Sequence, residues 1–221
     1  KNTKQSVKNF LYIIFFIEIW YFYSYIAFIS YRVYLKFMTV QIIYKNKPSK
    51  QNSSNHILFV DEKFNISSLK KHIPKSEYSF IFDLIKAKNL KKKIITFDIS
   101  SKKKIILISF KNNTTSSDFE NLGGEFYNLF KDSMHKEYNL ASDTLSGNSK
   151  GYLGYFLHGL RLKSYSFEKY KTKKNIKKFS IIVTGKNAPS VKNQLKFKAI
   201  EEGAFYTRDL VSEPGNILHP D

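Results

Sequence analysis

KIITFDISSKKKIILISF, residues 93–110, holds two runs rich in β-branched and aromatic residues on either side of a polar turn. Both runs have the composition of strands, and DISSKK, between Phe97 and Ile105, reads as a hairpin loop, so the pair is expected to be antiparallel. Outward from this hairpin the texture alternates. VQIIY (40–44), HILFV (56–60) and FSIIVTG (179–185) read as further strands, while 76–88, 117–133, 150–163 and 190–212 read as helices. In the third helix Leu153, Phe156, Leu157 and Leu160 recur at i, i+3, i+4 and i+7, which makes one apolar stripe. Strands interleaved with helices predict an α/β domain whose mixed, mostly buried sheet is flanked by helices.

The 221 residues, 42% of them hydrophobic, suffice for one compact core with additions. Cysteine is absent, which excludes disulfides and cysteine-ligated metals. The formal charge of +19 is a weak sign of nucleic-acid binding. Lysine supplies nearly all of it, with arginine only at Arg32, Arg161 and Arg208. Asn, Ile, Phe and Tyr are abundant beside it and share AT-rich codons with Lys, so coding bias explains much of the charge. Phosphate-reading surfaces recruit arginine as well.

Before the domain lies a different piece. Residues 10–31, FLYIIFFIEIWYFYSYIAFISY, are long and apolar enough to span a membrane, which takes about 20 residues. Basic residues flank the run on both sides (Lys4, Lys8, Arg32, Lys36), and its aromatics are scattered rather than gathered at two interfaces. Segment 1–37 is therefore either a membrane anchor or spurious upstream translation of AT-rich sequence; the texture favours the second. Met38 then opens MTVQIIYKNK, a clean strand start.

Templates for chemistry fail on spacing. VTGKNAPS (183–190) sets Gly185 and Lys186 between a strand and a helix, but Ser180 and Asn187 stand where a phosphate-binding loop needs Gly and Ser or Thr. It reads as an ordinary turn. The glycines of GYLGYFLHG (151–159) suit close packing by a neighbour. His56, His72, His135, His158 and His219 show no metal-ligand pairing, and His158 reads as a half-buried structural residue. Asp61-Glu62 and Glu201-Glu202 are expected to be solvated charges, since sequence neighbours point apart. KYKTKKNIKK (169–178) reads as a solvated basic loop. No residue is nominated as catalytic, metal-ligating or cofactor-binding.

Two stretches carry more. GLRLKSYSFEKYKTKK (159–174) resembles the segment of leucyl aminopeptidases, the cytosol aminopeptidase family, in which a helix leads into a Tyr/Phe-x-x-Tyr-Lys-Thr-Lys run. EGAFYTRDLVSEPGNILHPD (202–221) is similar to that family's Ala-Arg-Asp-Leu-Val-Asn-x-Pro-x-Asn-x-Leu-x-Pro signature, with Arg208, Asp209, Leu210, Val211, Pro214, Asn216, Leu218 and Pro220 in register. It departs at Thr207, Ser212 and Gly215.

The resemblance implies a macro-domain-like N-terminal α/β domain over 38–188, a connecting helix at 189–213 and the start of a catalytic domain at 214–221. The chain is then expected to be cut near the beginning of its catalytic half. It further implies a parent metallopeptidase that removes N-terminal amino acids from peptides with two divalent ions (manganese or zinc), held by ligands in the missing half. It would be a cytoplasmic homo-hexamer, and this piece would serve architecture and subunit packing. A basic nucleic-acid-binding module and a membrane-anchored α/β protein remain the alternatives.

Overall fold

The computed structural model describes residues 40–45, 55–87, 92–111, 113–135, 137–172 and 179–217, together with Ile19. The chain divides into two units, Lys1–Met38 and Thr39–Asp221, and every element below belongs to the second. The apolar run 10–31 lies outside the described residues, Ile19 apart. Among the described residues no helix is long and apolar enough to cross a membrane.

Strands β1 (Val40–Lys45), β2 (Asn55–Asp61), β3 (Ile94–Ser100), β4 (Lys103–Phe110), β5 (Glu137–Ala141) and β6 (Phe179–Thr184) form one sheet in the order β1-β6-β5-β2-β4-β3. The hairpin of residues 93–110 is antiparallel, with Ile95 opposite Leu107 and an irregularity at Asp98/Ser100. Every other pairing is parallel, including β1 on β6, where Val40 meets Phe179. Helices α1 (Lys75–Ala87), α2 (Ser116–Phe130), α3 (Leu153–Lys163) and α4 (Val191–Ser212) follow the predicted positions. The third predicted helix, 150–163, has its first residues in a 3-10 helix that spans Gly147–Tyr152.

β5 is the element that the sequence reading missed. EYNLA is short and carries Asn139 in place of a β-branched run, yet it lies between β2 and β6, and Tyr138 and Leu140 are fully buried. Tertiary burial outweighs local propensity here.

Alternation along the strands splits the core into two clusters. Ile57, Phe59, Ile106 and Ile108 face one side, where Phe119, Phe126, Phe156 and Leu160 of α2 and α3 cover them. Leu58, Val60, Ile105 and Leu107 face the other, under Ile81 of α1 and the loop residues Phe64, Ile66 and Leu69. Asn55 fixes the foot of β2 between its neighbours, donating from Nδ2 to the Glu137 carbonyl at 3.0 Å and accepting the Lys104 amide at 3.0 Å. α2 starts at a complete capping box: Thr115 and Asp118 each accept the other's backbone N–H.

α2 and α3 touch backbone to backbone. A Cβ on Gly123 would lie 1.9 Å from the Phe156 carbonyl oxygen, and one on Gly159 would lie 1.9 Å from that of Glu120. This accounts for Gly159 as a packing glycine, and a Cβ on Gly154 would likewise lie 2.5 Å from the Phe197 ring of α4. Gly151 has open space around it.

Gly159→Ala should therefore destabilise the domain by about 2–3 kcal/mol, the upper range for overpacking. Gly203→Ala, on α4 with open space where a Cβ would lie, should stabilise by up to about 1 kcal/mol through helix propensity. Urea denaturation of the two variants checks both signs.

Candidate interface site

α4 begins at Ser190, whose side chain accepts the Asn193 amide, and runs for 22 residues. Its inward positions follow helical spacing: Phe197, Glu201, Phe205 and then Asp209. Phe197 lies against Tyr155 and His158 of α3, each at a ring separation of 5.0 Å. One turn on, Glu201 is buried, which corrects its reading as a solvated charge. Its Oε1 meets His158 Nδ1 at 3.0 Å and its Oε2 accepts from Arg161 Nη1 at 2.7 Å. His158 and Arg161 lie three residues apart on α3, so both reach one carboxylate. Glu202 does point outward, 3.9 Å from Lys198. His158 is more deeply buried than a half-buried residue, at 6% exposure.

The contacts continue past the end of α3. Phe205 stacks on Tyr165 at 5.5 Å, Tyr165 donates to Asp209 at 2.8 Å, and the Arg208 guanidinium sits over the Tyr165 ring while donating to the Leu162 carbonyl at 2.7 Å. Burial raises the Tyr165 pKa, and the Asp209 carboxylate reinforces the shift. At the far end of α4, Lys169 and Tyr170 both donate to Glu213. Those two hydrogen bonds hold the Glu213 carboxyl below the usual range and raise Lys169. Tyr44 of β1 lies beside the Glu201 cluster; burial pushes its hydroxyl up to about 12, Arg161 opposing and Glu201 adding to the shift.

The two stretches singled out in the sequence thus meet side chain to side chain. Residues 158–170 form one wall and 197–213 the other. Lys173 to Lys178 of the basic run and His219 lie outside the described residues. The cluster has ion pairs and aromatic contacts throughout and no arrangement of nucleophile and base. Among the described residues no group of three or more His, Asp and Glu could hold a metal ion, so the two-metal centre implied by the resemblance does not fit them.

No family model matches this chain. Curated relatives do match part of it. A probable cytosol aminopeptidase of Rhizobium meliloti is 38% identical over 73 residues, which is 29% of this chain and 15% of that protein. The cytosol aminopeptidase of Rickettsia prowazekii is 42% identical over 67 residues, 28% of this chain and 13% of that protein. Among solved structures, a mutant of tomato leucine aminopeptidase superposes over 82% of this chain and 40% of its own, with a TM-score of 0.60 at 18% identity. Over these stretches the chain is similar to members of the leucyl aminopeptidase family. A more distant fold likeness, at a TM-score of 0.52 and 10% identity, is to the bottromycin maturation enzyme BotP, over 76% of this chain and 34% of that one. The matched stretch is a small fraction of the length of the family's curated members.

The outer surface of α4 is not covered. Val191 is 70% exposed, Leu195 60%, Tyr206 65% and Val211 81%, and Ile217 follows at 54%. Ile200 and Leu210 are exposed too, while Ala204 is half-buried. Large apolar side chains left exposed along the length of one helix suit a surface that meets something else.

Glu201→Ala should cost about 3 kcal/mol, because it strands a guanidinium beside a buried imidazole. Glu202→Ala should fall within about 0.5 kcal/mol of the parent. Chemical denaturation reads both.

Glu213 has a lowered pKa, so its contribution is present above the ordinary glutamate range, near 4.3, and is lost as pH falls through the folded value. An NMR titration should place Glu213 below that range in the parent and back towards it in Lys169→Ala.

Proposed function

We propose that residues 39–221 are the N-terminal domain of a leucyl aminopeptidase that removes N-terminal residues from peptides, and that α4 is the strut carrying the catalytic domain. The observation that carries this reading is the interlock of 158–170 with 197–213. Among the described residues, Tyr165, Lys169 and Tyr170 of one family stretch and Phe205, Asp209 and Glu213 of the other fasten the two stretches together. The strut reading also accounts for α4 presenting Leu195, Tyr206 and Val211 outward. In this proposal the domain serves architecture and subunit packing in a cytoplasmic hexamer. The two divalent ions, manganese or zinc, and the peptide belong to residues beyond those described. The described residues offer no ligand set for these ions.

The residues 1–221 alone, loaded with manganese or zinc, should not hydrolyse a leucine anilide, whereas a longer product of the same reading frame should do so in a metal-dependent way. Hydrolysis by 1–221 itself, surviving removal of host peptidases, overturns the assignment. Leu195→Lys and Val211→Lys should leave the stability of 1–221 within about 0.5 kcal/mol, as exposed substitutions do. In the longer protein the same changes should weaken assembly, read by analytical ultracentrifugation.

A further inference from the structure

A second site lies away from α4, at the carboxyl ends of the parallel strands. The chain leaves β2 towards α1 and the β3–β4 side of the sheet, and it leaves β5 towards α3 and β6 on the other side. Neighbouring strands whose connections part in this way open a crevice between their ends, the place where open α/β sheets take ligands. A crevice of about 210 Å³ is present there. It is smaller than the pockets of about 300 Å³ and more that take drug-sized ligands, which suits a ligand of pentose size.

Its lining comes from three separate connections. Asp61 ends β2, Asn65, Ser67 and Ser68 follow in the next loop, Phe110 ends β4, and Ser146 lies just beyond β5. The loop after β2 is preformed. Asp61 Oδ1 accepts the amides of Lys63 at 3.1 Å and Asn65 at 2.8 Å, and Asn65 Oδ1 accepts that of Ser67 at 3.0 Å. Phe64 holds the left-handed conformation, φ 54°, with its ring buried in the core. A bulky residue in that region stores strain, and strain of this kind gathers at ligand clamps.

What remains open defines the ligand. Asp61 Oδ2 and the hydroxyls of Ser67, Ser68 and Ser146 make no hydrogen bond among the described residues and are left as one acceptor and three donor-acceptors. No lysine or arginine is among the lining residues, so a phosphate would meet a carboxylate and no countercharge. A cation would have to approach a chain of net charge +19. We propose that this crevice binds a neutral, polyhydroxylated molecule of pentose size, with Asp61 accepting from one ligand hydroxyl, the serines bonding its neighbours, and Phe110 packing against the ring. This goes beyond the aminopeptidase reading and does not rest on it.

The test is an NMR titration of the isotopically labelled 1–221 chain with D-ribose, with inorganic phosphate and n-butylamine as the comparison probes. Ribose should produce saturable shifts confined to amides of 61–68 and 144–146, with a Kd in the millimolar range expected for so few heavy atoms. Asp61→Asn keeps the turn-forming oxygen and should weaken binding about tenfold, the cost of losing a hydrogen bond to a charged group. Ser67→Ala with Ser68→Ala should weaken it too, and both variants should retain the parent's circular dichroism. Shifts that never saturate, tighter binding of phosphate or n-butylamine, or folded variants that bind ribose as the parent does would each overturn the proposal.

Discussion

The closeness of α2 to α3 governs the rest. With Gly123 against the Phe156 carbonyl and Gly159 against that of Glu120, the two helices meet without side chains between them. Any Cβ at either position would push them apart. The separation sets where α3 lies over β2, β5 and β6, so it also sets where His158 and Arg161 emerge. Those two groups share one carboxylate, and hydrogen bonds of 2.7 and 3.0 Å leave little tolerance for a shifted helix. The position of α4 is thus inherited from two glycines in the layer beneath it.

Glu201 shows how a charge can be buried without a net penalty large enough to expel it. Its carboxylate is 3% exposed and lies between an imidazole at 7% and a guanidinium at 18%. Such a pair adds little to stability over an apolar contact of the same shape, but it specifies one rotation and one register of α4. Tyr165 with Asp209, and Lys169 and Tyr170 with Glu213, repeat the fastening further along. A helix held at three points in this way keeps one position against α3, which is what the proposed strut requires.

Much of the fold was legible in the sequence because the strands of 93–110 and their neighbours are dense in β-branched residues. β5 was not, since a five-residue strand with a central Asn gives no local signal and is fixed only by the strands on either side. Glu201 was misread for a related reason. Adjacent carboxylates do point apart, as expected, but one of them points at His158 and Arg161, some 40 residues away in the chain. Their helical spacing to each other was visible; their distance from Glu201 was not. The crevice beside Asp61 was illegible for the same cause, being assembled from the ends of three connections.

The parallel pairing of β1 with β6 has a consequence for how the chain is made. Val40 is among the first domain residues to leave a ribosome, yet its partner Phe179 is in the last strand. At roughly 5–20 residues per second, β1 waits on the order of ten seconds for a neighbour. The hairpin of 93–110 can close as soon as it emerges, and β2 can join β4 soon after. β1 spends that interval as an unpaired apolar strand, open to any other edge that comes within reach. Translation speed through the segment between β1 and β6 therefore sets how long a nascent chain is exposed to mispairing, and a pause there would lower yield without altering the folded product.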